Sequence, residues 1–488
     1  MAEFEFDDLE KKYEHFARPV ASIEIAGEEF ENNKYGMGIS DIRVELSAGF
    51  EASIASFVIY NVYDYPSASF VFERFKKYIL LGSSVVIYMG YSSSVREVFR
   101  GFIAKVNFIY DENDIPGVMV TAMDIKGIMM MNNSAKQLTA KTYSAALSEI
   151  MSGEPYVSMT SEGVLKELKI SDTPDGQMNS AASKIGGGGV AGSIVGGVAG
   201  AAEGMAKDAV NSAPGVSDAS NAANQARGAS NATQGVSNAT GAVGGRATTQ
   251  QQTSDTYTVE MVGESDYELF VRAAKRFNYD FFVIGGQLIF RPAKGDTTIY
   301  LVLSPKTAMK NINVEYDITG LYKTVEVRNV DPGKGKLISA QKKFKNKISQ
   351  GSKAKGIIGQ LTKVYIDPTV SSKEDAGYRA NYLVEEMSYR FGTLEADFLG
   401  LPEIIPGRFI QIGGLGKDVE NQFYLQEVIH TFNANGDYVT HVIGKAATIT
   451  DPIGLDGNPA SSALGAVSDV AGSVAGAAGA VSGLGGLF

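Results

Sequence analysis

Residues Val98–Asp124, VFRGFIAKVNFIYDENDIPGVMVTAMD, and residues Gln422–Gly444, QFYLQEVIHTFNANGDYVTHVIG, are the stretches whose reading decides the fold. Each is a long strand, a polar turn and a second strand, with β-branched and aromatic residues near period two. In the second, Asn435-Gly436 lies between alternating strands, a strong hairpin signal. A strand rich in glycine at its end precedes each: Val85–Tyr91 (VVIYMGY) and Arg408–Gly414 (RFIQIGG). Identity between the copies is slight, so it is the order of elements that repeats. The simplest account is two copies of one β-barrel-like domain.

Working outward, Ser22–Ala26, Ile42–Leu46, Ala52–Tyr60, Ser84–Tyr91, Val98–Tyr110 and Gly117–Asp124 read as strands of the first copy. Thr298–Leu303, Ile312–Tyr316, Tyr322–Asn329, Lys363–Ile366, Arg390–Leu399, Phe409–Ile412, Phe423–Asn433 and Asp437–Gly444 read as strands of the second. Between the copies, Ser144–Met151 predicts a short helix with Leu147, Ile150 and Met151 on one face. Ser265-Asp-Tyr-Glu268 has capping-box spacing, and Phe270, Ala273, Ala274 and Phe277 continue it as an amphipathic helix. The hairpin FFVI-GG-QLIF follows, with Gly285-Gly286 supplying the positive φ of a two-residue turn. Ser371-Ser-Lys-Glu374 predicts a second capping box, with Ala380, Leu383 and Met387 on one side of its helix before Gly392.

The expected organisation is an N-terminal arm (1–16), a first β-barrel domain (17–131), an intermediate α+β domain in two parts (132–180 and 251–296) and a second β-barrel domain (297–450). A Gly/Ala-rich insertion (181–250) splits the intermediate domain, and a Gly/Ala-rich tail (451–488) ends the chain. The insertion has 15 Gly, 18 Ala and no aromatic residue among its 70 positions, too little apolar surface to offset the entropy of ordering its backbone. The fold class is mainly β with α+β insertions. Two such barrels per chain, associated as a trimer, would present a ring that is sixfold on one face and threefold on the other.

Composition narrows the function. The 488 residues carry 44 Lys+Arg against 55 Asp+Glu, a net charge of −11, which argues against a chain devoted to gripping nucleic-acid phosphates or anionic lipid. No cysteine is present, which removes disulfides, Fe–S ligands and thiol nucleophiles. Three histidines leave little for a zinc site. The N-terminus MAEFEFDDLEKKYEHF has neither the basic nor the apolar region of a secretory signal. The chain is expected to start out soluble in the cytoplasm.

Several stretches, taken in order, resemble the late control protein D family, the central baseplate hub of contractile phage tails and the hub half of type VI secretion spike proteins. They are RGFIAKVNFIYD…GVMVTAMDIKGIMM, Gly263–Phe290 (GESDYELFVRAAKRFNYDFFVIGGQLIF), Val325–Ala340 (VEVRNVDPGKGKLISA), Gly400–Gly414 (GLPEIIPGRFIQIGG) and FYLQEVIHTFNANGDYVTHV. The resemblance covers most of the roughly 390 residues outside the two Gly/Ala-rich stretches. It implies a homotrimer with a wide axial channel, set between the inner tube protein and the pointed spike and in contact with other baseplate proteins. Cargo or a tape-measure protein would occupy the channel, and no nucleic-acid specificity is implied. The chain departs from the family in two respects. Nothing after the second barrel reads as an OB-fold and needle, so the spike is expected to be a separate chain, and the 181–250 insertion is foreign to the pattern.

Each sharper reading has a plainer one beside it. Glu264, Asp266 and Glu268 fit a capped helix N-terminus, where carboxylates suit the dipole, better than a catalytic or metal cluster. His430 and His441 flank the Asn435-Gly436 turn as ordinary sheet residues rather than a two-ligand metal site. His15 lies in the charged arm. With no G-x-S-x-G elbow and no Walker sequence, no catalytic, cofactor or metal residues are expected, and the chain is read as non-enzymatic. A tail-associated peptidoglycan hydrolase is one alternative. The other is a membrane-active protein acting through Gly188, Gly192, Gly196, Gly200 and Gly204, a small-xxx-small series. In the tail, Leu464, Val467, Ala471, Val474, Ala478 and Val481 form a heptad-like stripe.

Overall fold

The computed structural model describes residues 2–30, 36–175, 259–331, 333–344, 352–416 and 419–447. The 181–250 insertion with its glycine series and the 451–488 tail with its apolar stripe lie outside the described residues.

The first strand set comprises β1 (Pro19–Ile25), the two-residue β2 (Glu28–Glu29), β3 (Gly38–Ser47), β4 (Ile54–Tyr60), a short pair β5 (Tyr63–Asp64) and β6 (Ser69–Phe70), β7 (Ser84–Tyr91), β8 (Ser94–Ile109) and β9 (Gly117–Met123). The middle of the chain supplies β10 (Asn133–Gln137), β11 (Glu167–Ile170), β12 (Glu260–Ser265), β13 (Tyr279–Ile284) and β14 (Gln287–Pro292). The last part contributes β15 (Ile299–Leu303), β16 (Met309–Tyr316), β17 (Thr324–Val330), β18 (Leu337–Lys343), β19 (Thr362–Ile366), β20 (Gly392–Leu399), β21 (Phe409–Ile412), β22 (Asn421–Phe432) and β23 (Tyr438–Ala446).

Strand order repeats across the chain. The first set runs β1-β7-β8-β9-β4-β3, and the second runs β15-β21-β22-β23-β20-β16, so the same chain order is laid down in the same spatial order twice. One pairing differs: β1 is antiparallel to β7, whereas β15 is parallel to β21. The two sets are not separate sheets. One edge of β22 pairs first with β21, through Asn421–Tyr424, and then with β3, through Glu427–Phe432. That seam makes one sheet of thirteen strands, and a single apolar core runs from Ile23 and Phe57 to Leu394 and Val442. In β23 the buried positions alternate strictly, Tyr438, Thr440, Val442, Gly444 and Ala446, because one face meets this core.

The helical units form as their sequences dictate. Ser265 caps the Asp266–Phe277 helix: its hydroxyl accepts the Glu268 N–H (3.2 Å) while the Glu268 carboxylate accepts the Ser265 N–H (2.6 Å). Phe270, Ala273, Ala274 and Phe277 are buried, as the periodicity predicts. They pack on the β13–β14 hairpin, where Gly285 (φ 56°) and Gly286 (φ 76°) make the turn that only glycine adopts freely.

Two expectations are corrected. Helix Lys373–Ser388 starts one residue later than the expected Ser371 cap: Ser372 is the cap, accepting from the Asp375 N–H at 3.0 Å, and Ser371 Oγ donates to the Asp375 carboxylate at 2.8 Å. The backbone N–H of Asp375 thus serves Ser372 and its carboxylate serves Ser371. The Asn435-Gly436 hairpin forms where its sequence places it, with Phe432 paired to Tyr438 and the Asn433 N–H donating to the Asp437 carbonyl at 3.1 Å. The Asn433 side-chain oxygen accepts from the Asn435 and Asp437 N–H groups at 3.0 and 2.9 Å, holding the turn. Finally, Tyr322–Asn329 and Lys363–Ile366 do not join the main sheet. They appear as β17 and β19 of a three-stranded sheet, β18–β17–β19, with its own core against the Lys373–Ser388 helix. Strand periodicity is the same in either sheet, so the pattern alone could not assign them.

Candidate functional site

The N-terminal arm builds a junction that ties the two strand sets together. Its Phe6–Lys12 helix carries Asp7 and Asp8 in the first turn and Lys11 and Lys12 in the last, matching the helix dipole. Before it, the Glu3 and Phe4 N–H groups donate to the carbonyls of Ile299 and Tyr300 on β15 at 2.9 and 3.0 Å. After it, fully buried Tyr13 donates its hydroxyl to Glu403 Oε1 at 2.7 Å, and Lys12 Nζ reaches the same oxygen at 2.8 Å. Burial, then the adjoining carboxylate, push the Tyr13 phenol pKa well up. Tyr91, at the end of β7, donates to the Gly400 carbonyl at 2.8 Å, and its ring lies 5.5 Å from that of Tyr13 and 5.8 Å from that of Tyr438.

The loop carrying Gly400 and Glu403 is held from beneath by His430. Its Nε2 lies 3.1 Å from the Ile404 carbonyl, so Nε2 carries the proton and donates. Nδ1, with its single lone pair, then accepts from Tyr438 Oη at 3.0 Å, and Thr440 Oγ1 lies 3.1 Å away. Thr440 Oγ1 in turn accepts the Leu401 N–H at 3.0 Å. One neutral imidazole thus clamps both sides of the loop. Burial lowers its pKa to about 4 from an ordinary 6.5, outweighing the Ile404 bond that favours the charged form.

The unfolded chain gains a proton at His430 near pH 6.5 and the folded chain only near 4, so its contribution is complete above the unfolded value and is lost as pH falls between the two. At about pH 5 the expected loss is about 2 kcal/mol relative to neutral pH. Urea midpoints across that range should fall more steeply for the wild type than for His430→Gln; parallel slopes would remove this role.

The two histidines expected on neighbouring strands are adjacent but divergent. His430 faces Thr440 and Ile429 faces His441, so the two imidazoles emerge on opposite faces. His441 Nδ1 instead meets Asp397 Oδ1 at 2.7 Å. His15 is exposed and pairs with Glu10. Nor does the acidic trio converge. Glu268 closes the capping box, Glu264 pairs with Arg272 at 2.6 Å, and Asp266, fully buried, accepts from Tyr156 Oη at 2.5 Å and from the Asn132 amide. Among the described residues, no group of three His, Cys, Asp or Glu side chains is placed to hold a metal.

A cavity of about 410 Å³ opens where the 48–51 loop, the β13–β14 hairpin, the Lys373–Ser388 helix and β22 meet. Asp280 in its wall is an acid that a hydrolase reading would seize on. Burial raises its pKa, yet Oδ2 already accepts from the Lys294 N–H at 2.8 Å and Tyr424 Oη at 3.0 Å. Lys294 Nζ lies 4.6 Å from the ring centre of Tyr389 and 5.0 Å from that of Tyr424, and it pairs with Glu385 at 3.1 Å. Asp280 is held by a backbone N–H and a phenol, and Lys294 by Glu385 and two rings. They brace the junction of the modules.

The surface offers more. At the far end of β8, Phe108 and Tyr110 meet Tyr63, Phe70 and Phe72 in a run of ring contacts between 5.1 and 5.4 Å. Tyr65 and Ile115 beside them are each 65% exposed. These rings form an aromatic cluster at the surface, with Phe72, Phe108 and Tyr110 exposed.

Sequence reasoning missed the Glu403–Tyr13–Tyr91 junction. The available signal was Glu403 itself, a single acid inside the otherwise apolar run Gly400–Pro406.

No protein-family model matches the sequence, and a search of curated proteins also found no match. Solved structures do match. The 43 kDa tail protein of prophage MuSo2 from Shewanella oneidensis superposes with a TM-score of 0.52 at 10% identity, covering 88% of this chain and 98% of that one. The tail protein from Neisseria meningitidis MC58 gives 0.52 at 12% identity, covering 88% and 97%. A component of the type VI secretion system, the Escherichia coli c3393 protein, gives 0.43 at 8% identity, covering 88% and 79%. At the first two scores the chain shares the fold of phage tail proteins.

Proposed function

We propose that the chain is a non-enzymatic structural component of a contractile phage-tail-like particle, the central hub of its baseplate. The observation that carries this reading is the repeated strand order within one continuous sheet. A duplicated unit, tripled by association, matches a sixfold inner tube on one face and a threefold spike on the other. In this reading each strand set closes as a barrel-like domain of the assembled ring, and the N-terminal arm and the His430-held loop lock the two sets of one chain together. Thrust then passes through a sheet that is continuous from one set to the other. The partners are two further copies of the chain, the inner tube protein, a separate spike protein and other baseplate proteins, with cargo or a tape-measure protein in the channel. Assembly takes place in the bacterial cytoplasm. The hydrolase alternative gains no support from Asp280, whose carboxylate is engaged internally, and the glycine series behind the membrane alternative lies outside the described residues.

The test is mass in solution combined with low-resolution imaging. A threefold ring with a central opening is expected. A monomer, or an assembly without an opening, would overturn the reading.

A further inference from the structure

Residues Lys323–Lys363 hold ten lysines and one arginine against only two acids, Glu326 and Asp331, in a chain whose net charge is −11. Their framework is the small β18–β17–β19 sheet. Alternation turns Val325, Val327, Ile338, Ala340 and Tyr365 towards the Lys373–Ser388 helix, where they close a core with Ala380, Leu383 and Met387. The opposite face therefore carries Val330, Leu337, Val364 and Ile366, all exposed, with Ile366 at 83%. Register sets Val330 beside Leu337 and Arg328 beside Ile366.

Charge frames this apolar face. Arg328 is already held by Glu326 through bonds of 2.6 and 2.9 Å. Lys334 and Lys336 stand in the hairpin at one end of the sheet, and Lys323 and Lys343 stand at the other, all four exposed. Among the described residues none of these four lysines has an ion-pair partner. Unpaired like charges around an uncovered aliphatic patch repel one another, and both costs are relieved together by an anionic partner that also brings apolar side chains.

We propose that this face is a docking surface for an acidic polypeptide segment of a partner protein, with interspersed aliphatic residues on Val330, Leu337, Val364 and Ile366 and carboxylates on the flanking lysines. The exposed side chains are aliphatic, not the aromatic platforms on which bases stack, because Tyr322 and Tyr365 turn into the core. That favours a polypeptide over single-stranded nucleic acid. The proposal stands apart from the hub reading, since it requires only the chemistry of this one face.

The experiment is fluorescence anisotropy of the full-length protein with a labelled short peptide of alternating glutamate and valine. Binding is expected, weakened about tenfold or more by Ile366→Glu, by the pair Lys334→Glu and Lys336→Glu, and by salt near about 1 M. A lysine–valine peptide should not bind. All three substituted positions are exposed, and circular-dichroism melting should show the fold unchanged; Lys334→Gln with Lys336→Gln provides a gentler pair with the same expected direction. Absence of binding, or equal binding by the variants, overturns the proposal. Tighter binding of a single-stranded oligonucleotide or of phosphatidylglycerol vesicles at this face overturns it too. So does a fall in the protein's mass in solution on Ile366→Glu, which would mean that a second copy covers the face.

Discussion

Gly400→Ala should lower the stability of the folded chain by about 3 kcal/mol or more, the upper end for overpacking. A Cβ built on Gly400 falls 2.1 Å from Cγ and 2.2 Å from Cδ1 of the Tyr438 ring. That ring cannot retreat. It is buried, lies 5.8 Å from Tyr91 and 5.9 Å from His430, and its hydroxyl is committed to the imidazole. Nor can the backbone shift freely, because the Gly400 N–H donates to the Tyr438 carbonyl at 3.0 Å and its own carbonyl accepts from Tyr91. The damage should reach the N-terminal arm, since the same loop presents Glu403 to Tyr13. Limited proteolysis after the arm and the urea midpoint are the readouts. Gly377→Ala is the control: it lies inside the Lys373–Ser388 helix with nothing near its added Cβ, and should gain up to about 1 kcal/mol from helix propensity. Equal behaviour of the two variants would dismiss the packing argument.

Phe270→Ala should cost about 3–5 kcal/mol, the range for truncating a buried phenylalanine. Phe270 is fully buried, stacked on Phe281 with centroids 4.8 Å apart and edge-on to Phe290 at 6.0 Å. Its neighbours come from a capped helix and a tight hairpin, both fixed locally, so neither collapses readily into the space left behind. The loss has a wider consequence. Lys126, buried, spans the carbonyls of Gly49 and Glu51 at 2.9 and 2.8 Å with its ammonium 5.0 Å from the Phe281 ring centre, and burial lowers its pKa to about 8. Loosening Phe281 therefore loosens the first strand set as well. Hydrogen exchange should speed up both in the 279–292 hairpin and in the 48–53 loop. Faster exchange in the hairpin alone would show that the two cores are independent.

The elements themselves were legible because their causes are local. Ser265 and Glu268 cap each other within one turn, Gly285-Gly286 bends a hairpin, and β7, β21 and the Phe270 face follow their periodicity to within a residue or two. The internal echo was legible too, as order of elements, and it recurs as order in the sheet. The junction was not. Glu403 and Tyr13 are 390 positions apart, and nothing near either one announces the other. The lysine-rich sheet was half legible: its charge stands in the sequence, but the strands were placed in the wrong sheet, because alternation records that one face is covered and not by what.

Alone, the order of amino acids determined the β-rich class, the caps and hairpins, the duplicated order of elements and the lack of cysteine, with only three histidines. Those depend on backbone preference, side-chain period and composition, which act over a few residues. Tertiary structure alone decided that β22 leaves β21 to pair with β3, that His430 stays neutral beneath the 400–404 loop, and that β17–β19 form a separate sheet with an exposed face. A strand edge can satisfy its hydrogen bonds with any suitable neighbour, so the choice is made by which pairing buries the most apolar surface around one core, a property of the whole chain.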